Sequence, residues 1–265
     1  MIVESSICFL DEKDLSDAML VGGFYLPRSK LEELDEKICE IKLKHNLKLS
    51  DEIKYNLLDC EKANYLKKIK PDLWNDIFLL PEILNMTIIM SFVWKGSSDH
   101  QVDSWRWAFS NILQRISIDL EKGHGSLSKN KNYPYFELVF DWLPSNKRIM
   151  DYLGMYCEAY YNGYSFETND IKPLRRFKSC PCMVCTSTRV SFALQLNDHL
   201  VGLTGDFVRW CMGKKKKGVI EEHFGKIIKC FRKSERGEIV GYGLITPDNV
   251  KNKIREKIGE ITEVD

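Results

Sequence analysis

Apolar residues in this chain come in short runs of strand length, separated by segments in which they recur every third or fourth residue. "TIIMSFVW" (Thr87 to Trp94) is a run of the first kind. It falls well short of the roughly 18 apolar residues that a membrane span requires. "RSKLEELDEKICEIKLKHNL" (Arg28 to Leu47) is a segment of the second kind, with Leu31, Leu34, Ile38 and Ile41 on one helical face. A chain that alternates the two patterns must lay helices against a sheet, so an α/β fold is expected. With 265 residues, 44% of them hydrophobic and 29% charged, the core belongs to one large domain.

The order of these patterns narrows the fold. "ICFLDE" (Ile7 to Glu12) and "AMLVGGFYL" (Ala18 to Leu26) read as antiparallel neighbours across a short charged turn. After the helix at Arg28 comes a helical region from about Glu61 to Leu84, which Pro71 and Pro81 should interrupt. "TIIMSFVW" is a third strand, and Asp103 to Gly123 a capped helix. A strand from Tyr135 to Leu143, a helix from Asn146 to about Tyr161, a weak strand within Lys178 to Thr188 and a helix from Val190 to Met212 follow. A short strand near "EIVGYGLIT" and a charged final helix end the series. Three antiparallel strands followed by alternating helices and strands is the order of an RNase H-like mixed sheet. That domain would take in 1-212, with a helical insertion over about 28-85, and 213-265 would be a basic C-terminal extension packed on it.

Within "ALQLNDHLVGL" (Ala193 to Leu203), Asp198 interrupts an otherwise oily helix. Ala193, Leu196, Leu200, Leu203 and Phe207 form the apolar stripe, and Asp198 lies off it, with Gly202 one turn on leaving clearance for an approaching group. Other carboxylates stand where chemistry would need them. Asp11 and Glu12 end the first apolar strand, Asp51, Glu52 and Lys54 share a polar connector, and Asp141 sits among large apolar residues, where an unpaired carboxylate is costly. Hard oxygen donors from separate elements suit Mg²⁺ or Mn²⁺. Two such ions about 4 Å apart are the apparatus of phosphodiester hydrolysis. With 38 acidic residues in the chain, the same placement also arises as ordinary strand-end polarity.

These pieces resemble the bacterial and phage family called domain of unknown function 3800. "FLDEKD" is similar to its N-terminal Asp-Glu-Ser-Gly, "LVGGF" to its Gly-Gly strand and "DEIKYN" to its Glu-x-Lys motif. "LVFDWL" is similar to its mid-chain strand ending in Asp, and "LQLNDHLVG" to its late Leu-Gln-x-Ala-Asp helix. The resemblance implies an RNase H-like fold and a nuclease site holding Mg or Mn through Asp11, Glu52, Asp141 and Asp198, with Glu12 as a fifth ligand. It further implies a setting in phage defence or mobile elements, where a protein partner in a defence complex is expected. Lys13 and Asp14 stand in place of Ser-Gly, and Asn197 in place of the small residue before the helical Asp. A competing register starts from Glu4. These departures leave open an inactive alternative, a nucleic-acid- or partner-binding subunit with the same fold.

From Arg209 to Arg236 ten Lys or Arg face three Glu, although the whole chain carries a net charge of only +1. Lys214, Lys215, Lys216 and Lys217, Arg175 and Arg176, Lys129 and Lys131, together with Lys54, are the expected nucleic-acid contacts. A solvated basic face is the other reading of "KKKK". "SCPCMVC" brings Cys180, Cys182 and Cys185 close enough to suggest zinc, but no second ligand pair follows, and strand alternation accounts for Cys180 and Cys182 as core residues. Trp105, Trp107, Tyr160, Tyr161 and Tyr164 have helical spacing that fits core packing better than base stacking. Nine cysteines, an odd number, and the lack of a basic leader in "MIVESSICFLDEKD" point to a cytoplasmic protein with reduced thiols and no membrane association.

Overall fold

A computed structural model describes residues 5–56, 63–95, 104–122, 136–141, 149–166, 169–177, 179–181 and 183–262. Glu4, Lys129, Lys131 and Cys182 lie outside these residues. The fold is α/β, with a mixed six-stranded sheet and seven α-helices among the described residues. Strand β1 (Ser6–Asp14) pairs antiparallel with β2 (Ala18–Pro27), and β2 pairs antiparallel with β3 (Thr87–Trp94). On the other side of β1 lies β4 (Phe136–Asp141), parallel to it, followed by the short parallel β7 (Val184–Thr186). Chain order reaches β7 through a small separate hairpin, β5 (Tyr164–Phe166) and β6 (Asn169–Ile171), which the apolar pattern does not announce. The two-residue β8 (Leu244–Ile245) closes the far edge against β3.

The sheet separates two cores. Leu10, Val21 and Tyr25 face α3 (Ser104–Lys122) and α4 (Ile149–Tyr161), meeting Phe109, Ile112 and Tyr152. Phe9, Leu20 and Phe24 face the opposite way, onto α5 (Phe192–Cys211). Outside α5 lie α1 (Leu31–Lys44), α2 (Ala63–Ile83), α6 (Ile220–Ile228) and α7 (Asp248–Thr262). No helix among the described residues is long and apolar enough to cross a membrane.

Three sequence expectations are corrected. Helix α2 is not interrupted: Pro71 and Pro81 both lie inside it. Each proline removes a backbone donor, but between them the buried stripe of Leu73, Trp74, Ile77, Phe78 and Leu80 packs into the core and holds the helix together. Helix α5 is not one-sided: every residue from Ala193 to Val208 is buried except Asp198, because the sheet covers one face and the outer helices cover the other. Strand β1 does not end at Asp11 and Glu12 but runs on to Asp14.

Close approach of α5 to the sheet depends on the glycine pair of β2. A Cβ at Gly23 would come within 2.7 Å of Asn197 Oδ1, while Asn197 Nδ2 donates to Gly22 O at 3.3 Å. The helix starts at Ser191, whose hydroxyl accepts from the Leu194 N–H at 3.3 Å, a cap worth about 1 kcal/mol.

Candidate active site

Strand alternation decides which carboxylates share a face. Phe9 and Val139 are register partners on the α5 side, and Leu10 pairs with Phe140 on the α3 side. Asp11 and Asp141, one step further along adjacent parallel strands, therefore return to the α5 side. Asp198 comes to meet them from α5.

The three carboxylates feel one another. Asp11 holds its proton well above the usual carboxylate range, first through burial and then through the negative charges of Asp198 and Asp141, against the pull of the Glu12 N–H that donates to it at 2.6 Å. Asp141, 6% exposed, is pushed up to about 6 by burial, with Asp198 and Glu52 adding to the rise and the Thr188 N–H and Lys54 opposing it. Glu52 thus belongs to the same electrostatic group. Glu12 does not share the face: the pleat turns it to the α4 side, where it accepts from the Tyr152 hydroxyl.

Two loops are stitched to α5 to build this group. The connector at residues 51–55 is held from below by Lys42, a fully buried lysine on α1 that donates to Leu49 O at 3.0 Å and Asp51 O at 2.8 Å. Burial pulls its ammonium down to about 8. Above the connector, Gln195 accepts from the Ile53 N–H at 3.4 Å and donates to Thr188 O at 2.9 Å, so one buried amide ties both loops to the helix. Thr188 then donates its N–H to Asp141 at 3.0 Å and its hydroxyl to Glu52 at 2.8 Å. The Tyr55 N–H donates to Asp198 Oδ2 at 2.6 Å. Gly202 gives clearance to this tyrosine: a Cβ there would lie 2.2 Å from the Tyr55 ring, so the space read from the sequence as open to a ligand is filled by the protein.

Lysines complete the surroundings. Lys13 lies 4.6 Å over the Tyr55 ring, and burial lowers its pKa against the raising influence of Asp206, Asp198 and Asp11. Lys54 pairs with Glu52 at 3.5 Å, and exposed Arg189 approaches the same carboxylate at 3.8 Å. In the loop after α5, Lys214 pairs with Asp17, Lys215 with Asp206 and Lys217 with Glu221, so much of the "KKKK" charge is locally balanced. Lys216 is exposed. Arg175 and Arg176 are exposed on a 3-10 turn anchored by Leu174 in the α3–α4 core, on the side of the sheet away from the carboxylates. Cys180 and Cys185 are both partly buried. Trp105 packs edge-on against Tyr152 at 5.1 Å beside the α3–α4 core, whereas Tyr160 meets Tyr161 at 4.9 Å with Tyr161 exposed rather than in the core.

No family model, no curated protein and no solved structure matches this chain. Its chemistry must be read from the side chains themselves. Among the described residues, no three His, Cys, Asp or Glu side chains converge as they stand on a point that would hold a metal ion. The donor set nevertheless suits a hard divalent cation: carboxylates from four separate elements repel one another, and each protein N–H or hydroxyl occupies only part of a carboxylate's accepting capacity.

Lys13, Tyr55, Thr188, Gln195 and Asp206 were not singled out as site-builders by the sequence. Gln195 carried the clearest signal, a polar amide three residues before Asp198 in a buried helix. Thr188 reaches Asp141 and Tyr55 reaches Asp198 through backbone N–H groups, which no side-chain pattern reveals.

Proposed function

We propose that this chain is a metal-dependent phosphodiesterase acting on nucleic acid, built on an RNase H-like arrangement of the kind found in the domain of unknown function 3800 family. The observation that carries the reading is the gathering of Asp11, Asp141 and Asp198 on one face, Asp11 and Asp141 one step beyond the Leu10–Phe140 pair of two parallel strands, with burial and then mutual repulsion raising the first two. Natural folds keep such mutually repelling carboxylates chiefly where chemistry uses them. Asp11, Glu52, Asp141 and Asp198 would hold Mg²⁺ or Mn²⁺, which supplies a hydroxide nucleophile at neutral pH and charge for the leaving oxygen.

The chain's own groups do the rest. Thr188 orients Asp141 and Glu52 together, and Tyr55 fixes the rotamer of Asp198. Lys13 and Lys54 offset the acidic charge and offer cations to a phosphate. Lys216 and Arg189, exposed beside the site's loops, extend that positive surface toward a polyanion.

Calorimetric titration of Mn²⁺ into metal-stripped protein, wild type beside Asp198→Asn, tests the reading. Binding by the wild type that falls at least tenfold in the variant, accompanied by Mn²⁺-dependent cleavage of DNA or RNA, supports it. Absence of both binding and cleavage in the wild type, with salt-sensitive nucleic-acid binding retained, overturns it in favour of a non-catalytic binding subunit. That second reading is favoured by the engagement of every candidate carboxylate with a protein donor.

A further inference from the structure

On the α3 side of the sheet, at the edge formed by β3 and β8, lies a cleft of about 500 Å³. This is within the ~300–1,000 Å³ range of small-molecule sites. One wall is Arg115 on α3. The other is the segment that leaves α6 and returns as β8, carrying Arg232, Lys233, Arg236 and Tyr242. The segment is shaped for this. Ser234 accepts from the Arg236 N–H at 3.1 Å and the Glu238 N–H at 3.0 Å, tightening a turn that Gly237 completes at φ 84°. Gly243 lets the return strand pass the Arg232 backbone, where a Cβ would lie 2.3 Å from its carbonyl oxygen. Arg115 Nη2 donates to Gly241 O at 2.9 Å and locks the two walls together.

The charges in this cleft do not balance. Arg232 is 8% exposed and bound by Asp119 through Nε and Nη2, with Tyr25 donating to the same carboxylate at 2.7 Å. Asp119 thus spends its hydrogen bonds on Arg232 and Tyr25 and reaches Arg115 only through its charge. Among the described residues Arg115, Lys233 and Arg236 have no carboxylate within ion-pair distance. Glu235 and Glu238 also line the cleft, and Glu238 faces Arg255 at 3.9 Å. Burial and the neighbouring Arg232 charge lower the pKa of Arg115. Among the described residues, the buried Arg232 Nη1 and Arg115 Nε atoms behind the lining also have no acceptor. Beyond the Arg232–Asp119 pair, the cleft sets three cations, Arg115, Lys233 and Arg236, against two carboxylates, a balance that favours an anion.

We infer that this cleft binds a polyphosphate anion of nucleotide size, its phosphates on Arg115, Lys233 and Arg236 and any base against the half-exposed Tyr242 ring. Guanidinium forks match phosphate oxygens in pairs. Arg115 already lies 5.8 Å from the Tyr242 ring centre, so the aromatic face and the cationic wall are contiguous. The site lies across the sheet from the carboxylates and does not depend on the phosphodiesterase reading.

Pyrophosphate and a nucleoside triphosphate are titrated separately, in EDTA, into wild-type protein, Arg236→Ala, Arg115→Ala and Asp198→Asn. The expected result is binding by the wild type and by Asp198→Asn, weakened at least tenfold in Arg236→Ala, whose side chain lies in an exposed turn and supports no core. Tighter binding of the triphosphate than of pyrophosphate assigns Tyr242 to a base. Equal binding assigns the site to phosphates alone, and both support the inference. Failure of the wild type to bind either probe, or binding that Arg236→Ala leaves unchanged, overturns it. So does loss of binding in Asp198→Asn, which would place the anion at the carboxylates. Should Arg115→Ala lower the Tm, Arg236→Ala decides.

Discussion

The backbone N–H of Tyr55 donates to Oδ2 of Asp198 at 2.6 Å, across 143 residues of sequence. The tyrosine ring continues past this bond into the notch left by Gly202, stacks on Trp74 at 4.7 Å and ends with its hydroxyl on Asp206 at 2.6 Å. A single residue therefore fixes the carboxylate, fills the helix groove and anchors the connector that carries Glu52.

Gly202→Ala tests this wedge. The added Cβ meets the root of the Tyr55 ring, which Trp74 holds in place, so the cost is on the order of 1–3 kcal/mol in urea unfolding. Gly205→Ala is the internal control. Its nearest neighbour would be 3.5 Å away, an ordinary contact, and helix propensity then makes the change neutral or favourable. Equal costs at the two positions would show that Tyr55 does not need the notch.

Replacing Asp141 by Asn should stabilise the folded chain at neutral pH. In the native state this group binds its proton with a pKa of about 6, against 3.8 for a free aspartate. Between those values the folded state carries more protons than the unfolded one, so stability falls as pH rises through the window. Asn keeps an acceptor for the Thr188 N–H and removes the penalty. The gain is on the order of 1–3 kcal/mol at pH 7.5 and vanishes near pH 4. Unfolding curves at both pH values check it, and a variant less stable at pH 7.5 would contradict the repulsion.

Thr188→Val deletes the hydroxyl that holds Glu52 but spares the N–H that holds Asp141. If the carboxylates bind Mn²⁺, affinity should fall roughly 10–100-fold, the usual cost of losing a group that orients a ligand. Circular dichroism should be unchanged. Undiminished affinity would remove Glu52 from the ligand set.

The Asp119–Arg232 pair is the strongest link between α3 and the C-terminal segment. Arg232→Met strands a fully buried carboxylate and should cost about 3–5 kcal/mol. The double variant Asp119→Leu, Arg232→Met should recover most of that, because the uncompensated charge goes with its partner. A double variant as unstable as the single one would mean that the pair sets the conformation of the 232–242 segment directly.

Strands and helices with strong periodicity, such as β1, β2, β3, α1 and α5, could be read from residues alone, because burial on a sheet or helix face leaves period two or period 3.6 in the chain. The hairpin β5–β6 could not, since segments that short bury too little to leave a pattern, whereas β8 falls within the short strand expected near "EIVGYGLIT". Asp11 and Asp141 were recognisable as carboxylates among oily neighbours, and Asp198 as a charge in an apolar helix. That the three share a face follows from the parallel pairing of β1 with β4, a long-range register that no local stretch encodes. The resemblance puts Glu12 in the same group, yet the pleat sends consecutive residues to opposite sides of the sheet, and only the tertiary structure placed it with Tyr152. The lysine run was legible as charge, but its pairing with Asp17, Asp206 and Glu221 depends on how far α5 carries the chain before it turns. Local sequence determines which residues seek burial and which carry charge; contacts between distant segments decide which charges meet, because they depend on how the elements pack in three dimensions.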